Sequence, residues 1–386
     1  MSAPNDLAGP DDPPASAHSD TEAVGVPSTM RVGVYHAADD IRIEEHPVPS
    51  IGPDELLVRV TATALCAGEA MEWYSTRKGG KILGHEPVGT VAAVGGEITE
   101  FAVGDRVFVN HHVGRMRSHW SIRGHETMDP YYKSNRLDPG AMGEYFRVSA
   151  DHLRADIHHV PASIPDDVAT TIEPWSCVLG GLKTCGIQPG DTVLVLGAGF
   201  MGMGFVHLAS VFGAGRVIVS DFSDWRRERA LLLGATHTLD AAGDDLPAGV
   251  RDRNDGLLAD VVIATAPSTG AWATAVELVE KGGTIHLGAP GRPGSQWVLD
   301  GARQYFSEVT ITSKYSADHR DTYQYLRLLT AGRIDPTLAI THHLPLDELP
   351  RGFQLLTEAG ESLKIVLYPD ADAVPAPAVT SERTGR

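Results

Sequence analysis

The chain has 386 residues, with 32 basic against 50 acidic side chains and a net charge of −18. That balance excludes a nucleic-acid partner, because gripping a polyphosphate takes clustered Lys and Arg that displace counterions. A membrane span is also excluded: the longest apolar stretch, Val193 to Val211, is broken by Gly197, Gly199, Gly202, Gly204 and His207.

Residues 1–29 are rich in Pro, Ala, Ser and Asp and contain no Lys or Arg. They read as a disordered acidic arm, with neither the basic stretch nor the apolar core of a signal peptide. Cys66, Cys177 and Cys185 make no disulfide framework, so a reducing cytoplasm is the expected compartment.

From Met30 the pattern is short strands and turns. Ile41–Glu45 alternates, Glu55–Thr63 is a strong strand of period two, and Val88–Val94 and Val107–Val109 follow, giving an all-β unit. The polar stretch from Asn110 to Gly143 is long enough to need a function or a small fold of its own. From Ile187 the rhythm changes. Strands at Thr192–Leu196, Arg216–Ser220, Asp260–Ala266 and Gly283–Leu287 alternate with helices at Trp225–Leu233 and Trp272–Glu280, which predicts a parallel sheet covered on both faces. A helix over Thr322–Leu329 and a closing segment, Leu363–Leu367, are expected to return to the first unit. Asp370 to Arg386 resembles the N-terminal arm in composition and reads as a flexible tail.

Gly197-Ala198-Gly199-Phe200-Met201-Gly202 lies between a strand and a helix. There the first Gly permits the tight turn, the second lets the backbone approach a pyrophosphate, and the third lets helix and strand pack closely. The free N–H groups of the helix start hold phosphate oxygens. Asp221 ends the next strand, where an acid takes the ribose diol. At ~4 Å and an effective dielectric of ~20, a 2′-phosphate and a carboxylate repel by about 4 kcal/mol, so NAD is expected over NADP. Arg226 and Arg227 compete with that expectation as phosphate acceptors, or else solvate the surface or stack on adenine.

Cys66 follows the strong strand, and Gly84-His85-Glu86 opens the next segment. Thiolate, imidazole and carboxylate are the ligands zinc takes, and a catalytic zinc keeps one position open. Glu173, at the entry to the second unit, is the further carboxylate. An ion there lies in the cleft beside a nicotinamide. Bound zinc lowers the pKa of its water to about 7 and is expected to act on an alcohol in the same way.

These landmarks, together with GPDELLVRV, VGDRVFV, IEPWSCVLGGL, GGTIHLGAP and ESLKIVLYP, resemble the medium-chain dehydrogenase/reductase superfamily in its zinc-dependent branch, near sorbitol and threonine dehydrogenases. The resemblance implies an α/β chain with two parts. One is a GroES-like β-barrel catalytic domain over residues 30–168 and 315–369; the other is a Rossmann doubly wound parallel-sheet domain over 169–314. It carries over Cys66 and His85 as zinc ligands and leaves open whether Glu86 or Glu173 binds directly. It makes Lys364 a contact of the cofactor pyrophosphate and a homodimer or homotetramer the expected assembly.

Two departures stand out. Relatives carry four cysteines for a structural zinc, whereas the matching positions here are Arg115, Ser118, Ser121 and Asp129. One catalytic zinc and no structural zinc is therefore expected, with an Arg115–Asp129 salt bridge closing the lobe. Relatives also place a hydroxyl two residues after the cysteine, where this chain has Gly68. Glu69 is then either a substitute acid/base or, preferred slightly, paired with a basic side chain. His111 and His112 more often pack their loop than line a cleft. Trp73, Tyr74 and Trp175 are candidate lining residues, although aromatics more often pack than make contacts.

The leading reading is a zinc- and NAD-dependent dehydrogenase of a secondary alcohol (a polyol, sugar, cyclitol or amino alcohol) in a specialised biosynthetic pathway. A redox-neutral epimerase or lyase with tightly held NAD, and a non-enzymatic binding protein on the same fold, are the alternatives.

Overall fold

The computed structural model describes residues 25–37, 39–75, 82–358 and 360–376. Most of the acidic arm and residues 377–386 of the tail therefore lie outside the described residues.

Strands β1 (Thr29–Ala37) and β2 (Asp40–Pro47) form an antiparallel pair. The first large sheet contains β3 (Leu56–Ala64), β4 (Pro87–Val94), β5 (Arg106–Val109), β6 (Tyr145–Val148) and β7 (Ile157–His159). The second contains β8 (Thr192–Leu196), β9 (Arg216–Asp221), β10 (His237–Asp240), β11 (Ala259–Ala264), β12 (Val279–Leu287) and β13 (Thr310–Ser313). All its pairings are parallel, in the order β10-β9-β8-β11-β12-β13. Every residue of β8 is buried, as helices on both faces require. The chain then returns: β14 (Ile340–Pro345) pairs with β15 (Lys364–Tyr368), and β15 pairs with β3 in the first sheet.

One buried apolar cluster spans both sheets, from Ala62, Val88 and Phe108 through Ile172 and Trp175 to Val195 and Val219, and on to Val366. The two halves thus share a core rather than a linker. The helix Ile172–Cys185 threads that cluster and carries Glu173 in its first turn. At the far end the chain stays ordered beyond Asp370, the expected start of a flexible tail. Asp370 caps a short turn, and Val374 packs on the core.

The stretch 110–143 has its own small fold, but the expected Arg115–Asp129 salt bridge does not form. The Arg115 guanidinium lies over the Tyr131 ring at 4.6 Å. Asp129 instead caps the helix Pro130–Ser134, accepting from the Tyr131 N–H at 3.0 Å and from the Arg115 backbone N–H at 3.2 Å. Orphan N–H groups at a helix start compete for the same oxygens as a guanidinium and are already in place. Ser118 and Ser121 join through their hydroxyls at 2.9 Å, and the Ser121 hydroxyl donates to the Arg115 carbonyl.

Candidate active site

Three ligand atoms, from Cys66, His85 and Glu86, lie within 4.8 Å of one another. Cys66 stands where the chain leaves β3, and His85 and Glu86 directly precede β4, so the pairing of β3 with β4 brings them together. Glu86 is fully buried. Its Oε2 accepts from the Lys364 ammonium at 2.6 Å, while its Oε1 is buried without a hydrogen-bond partner. A buried carboxylate oxygen left so is costly unless a cation meets it, and the donor set suits zinc.

His85 is oriented from behind. Its Nδ1 lies 2.9 Å from Glu69 Oε1, which also accepts the Gly84 N–H at 2.8 Å. An ionised carboxylate only accepts, so Nδ1 carries the proton and Nε2 presents its lone pair. Glu69, a catalytic candidate from the sequence, is only 2 % exposed and stands behind the histidine.

Glu173 is buried beside this group but is not one of the three clustered residues. Burial raises its carboxyl above the usual range, against the pull of His85 and Lys364. The Cys177 thiol lies 3.6 Å from Glu173 Oε1. Burial and the Glu173 charge push that thiol far up, so it stays protonated. His111, weighed on sequence as loop packing, belongs to the site: its ring is 4.8 Å from that of His85 and its Nδ1 is 3.6 Å from Glu173. His112 packs its loop, with Nδ1 at 2.6 Å from the Asn135 carbonyl. Trp175 is not a lining residue; it is wholly buried and stacks on Phe200 at 5.5 Å. A large apolar ring gains most in the shared core, and its N–H finds the Phe200 carbonyl at 3.3 Å.

The glycine turn lies between β8 and the helix Phe200–Ala209. Gly197 has φ of +101°, a conformation side chains disfavour. A Cβ on Gly202 would stand 1.9 Å from the Gly197 carbonyl oxygen, so only glycine lets helix and strand meet. Gly199, by contrast, faces open space at the helix start, the space a pyrophosphate needs. Met201 packs against the core. Asp221 ends β9, and its oxygens accept the N–H groups of Ala198 at 2.7 Å and Ser223 at 2.8 Å. The Arg226 N–H is capped by Ser223. Arg227 is held by the Asp221 carbonyl at 2.6 Å, by Asp240 at 3.4 Å and by Asp224. Lys364 lies beside the Cys66, His85 and Glu86 cluster, bonded to Glu86 and to the Leu65 carbonyl, with its ammonium 4.1 Å from the Phe200 ring centre at the helix start.

Residues 52–162 match the family described as alcohol dehydrogenase GroES-like domain, and residues 201–331 the one described as zinc-binding dehydrogenase. An L-threonine 3-dehydrogenase of Anaeromyxobacter sp. is 31% identical over 335 residues, covering 84% of this chain and 94% of the relative. The chain belongs to the zinc-dependent alcohol dehydrogenase family. Sorbitol dehydrogenase of Bacillus subtilis is another relative of this alcohol dehydrogenase, 29% identical over 89% of this chain and 99% of the other. Among solved structures, alcohol dehydrogenase TADH from Thermus sp. ATN1 superposes with a TM-score of 0.78 at 27% identity, over 88% of this chain and 99% of that one. Zinc and a nicotinamide are thus the family's cofactors, and the GroES-like and Rossmann-type halves are its fold. Among the described residues, no helix is long and apolar enough to cross a membrane.

Proposed function

We propose that this alcohol dehydrogenase oxidises a secondary alcohol of the polyol or amino-alcohol class, reversibly, with NAD as hydride acceptor and a single zinc ion per chain. The observation that carries the reading is the approach of Cys66, His85 and Glu86 within 4.8 Å, with the Glu86 Oε1 unpartnered beside them. The named relatives act on sorbitol and threonine, both of which present a secondary carbinol.

Cys66 and His85 would hold the zinc, with Glu86 or Glu173 as the carboxylate. When bound, the ion acidifies the alcohol and the nicotinamide accepts its hydride. Glu69 fixes the His85 tautomer, and Lys364 neutralises Glu86. Support for NAD comes from Asp221, which places a negative charge where a 2′-phosphate would go, and from Arg227, whose charge is already taken up by Asp224 and Asp240. A count of one zinc is supported by Arg115, Ser118, Ser121 and Asp129, whose hydroxyls, single carboxylate and backbone groups bond to one another and include no thiolate. A homo-oligomer and a specialised biosynthetic role complete the reading.

Metal analysis of the purified protein, combined with an NADH-absorbance screen over polyols, cyclitols and amino alcohols, tests it. About one zinc per chain and NAD-dependent turnover of a secondary alcohol is the expected result. Conversion of substrate without NADH build-up, or protein that binds neither zinc nor NAD, overturns it.

A further inference from the structure

The lobe is a basic island on an acidic protein. Between residues 115 and 136 it carries Arg115, Arg117, Arg123, Lys133 and Arg136, all exposed, in a chain of net charge −18. Its two acids in that span are buried and already engaged: Glu126 holds His319, and Asp129 caps the helix Pro130–Ser134. The charge this stretch shows to solvent is therefore wholly positive. Arg117 and Arg123 form no salt bridge among the described residues, whereas Arg31, Arg106 and Arg303 are each held by a carboxylate.

Large apolar side chains stand among these cations. Met116, Trp120, Ile122 and Met128 are all exposed, Ile122 by 75%. Their backbone is tied down, with the Ile122 N–H on the Ser118 carbonyl and the His125 N–H on the Trp120 carbonyl. Apolar groups clustered and rimmed by charge mark a surface that something covers.

The chain itself supplies a segment of the opposite charge. Residues 1–24 contain Asp6, Asp11, Asp12, Asp20 and Glu22, no Lys or Arg, and Leu7 among prolines. They lead into β1, which abuts the foot of the lobe: the Gly33 N–H donates to the Met142 carbonyl at 2.7 Å, and Val32 bridges to Gly143. Fully extended, such a segment spans up to about 80 Å, enough to reach any part of the lobe. A tether of this kind holds its end at an effective concentration on the order of mM, so weak charge pairs suffice.

We propose that residues 1–24 dock on the lobe of their own chain, with their carboxylates against Arg117, Arg123 and Lys133 and with Leu7 on the face of Trp120 and Ile122. The docked arm covers the apolar face and takes no part in the hydride step.

The test uses the full chain and two readouts that are independent of the reaction catalysed. Carbodiimide joins a carboxylate to a lysine ammonium where the two touch, and mixing isotope-labelled with unlabelled chains tells a chain's own arm from another's. Lys133 should be joined to an acid of residues 1–24 of the same chain. The yield should fall several-fold between 0.1 M and 1 M salt, as the screening length shrinks from about 10 Å to about 3 Å. Backbone hydrogen exchange over 115–128 is then compared between the wild type and two variants. One carries Asp6→Asn, Asp11→Asn, Asp12→Asn, Asp20→Asn and Glu22→Gln; the other carries Arg117→Gln and Arg123→Gln. Exposed pairs are individually weak, so together they should slow exchange in the wild type by about three- to ten-fold relative to either variant. Exchange that is the same in all three proteins overturns the docking. Cross-links that form only between labelled and unlabelled chains overturn it too, and assign the lobe to a second copy.

Discussion

Lys364 Nζ lies 2.6 Å from Glu86 Oε2, and the two side chains are 3% and 0% exposed. The pair joins residues 278 positions apart in sequence, beside Cys66 and His85. An ion pair this deep adds little over apolar packing, but breaking it leaves one charge stranded. Lys364→Met should therefore lower the unfolding free energy of metal-free protein by about 3–5 kcal/mol, read from denaturant midpoints. Added zinc should recover part of the loss, since the ion neutralises Glu86. An unchanged midpoint in Lys364→Met would show that the pair is not formed in solution.

Glu69 holds His85 through Nδ1, so it would act on a bound metal through that ring. Removing such a supporting partner costs about 10–100-fold in metal affinity. Glu69→Ala should show that loss in competition with a chelator, and Glu69→Gln, which keeps an acceptor oxygen, should show less. A pH–rate profile that Glu69→Gln shifts at saturating zinc would instead make Glu69 a direct acid or base.

Cofactor choice should turn on Asp221. Asp221→Ala removes the charge that repels a 2′-phosphate, and the ratio of kcat/KM for NADP over NAD should rise on the order of 100-fold. Wild-type protein that already prefers NADP would refute the assignment.

The lobe at 110–143 is fastened to the helix His319–Thr330 by His319, whose Nδ1 lies 2.6 Å from the buried Glu126. The hydrogen bond to Glu126 raises the His319 pKa, against burial, with Asp318 and Asp156 adding to it. A histidine raised on folding contributes its stability fully below its unfolded pKa of about 6.5 and loses it as pH climbs through the folded value. Thermal stability should fall over that window, and Glu126→Gln should flatten the fall. A charge-assisted bond of this kind contributes about 1.5–3 kcal/mol. Identical pH profiles for wild type and Glu126→Gln would remove the latch.

Within the lobe, Asp129→Ala should cost about 1 kcal/mol, as loss of a helix cap does. Zinc content measured on the same variant should not change. A drop by one zinc per chain would mean that the lobe binds metal after all.

Much of this architecture was legible before any coordinates. Thr192–Leu196 reads as a buried strand and is one; the Gly197, Gly199 and Gly202 spacing, the strand-terminal Asp221 and the Cys66, His85 and Glu86 set are local patterns, fixed by turn geometry and by β3 pairing with β4. Sequence offered Trp175 as a candidate for the cleft with packing as the commoner role, and the wholly apolar environment was the better home for so large a ring. It paired Arg115 with Asp129 by charge, yet helix capping claimed the carboxylate.

The chain alone determined its two sheets, its glycine turn and the chemical types of its ligands, because each is written in residues that are neighbours or that alternate with a fixed period. Only the folded chain decided which side chains share a charge or a proton: Lys364 with Glu86, and Glu69 with His85. Those partners come from separate segments, and electrostatic pairing depends on distance and burial in space, which no local pattern encodes.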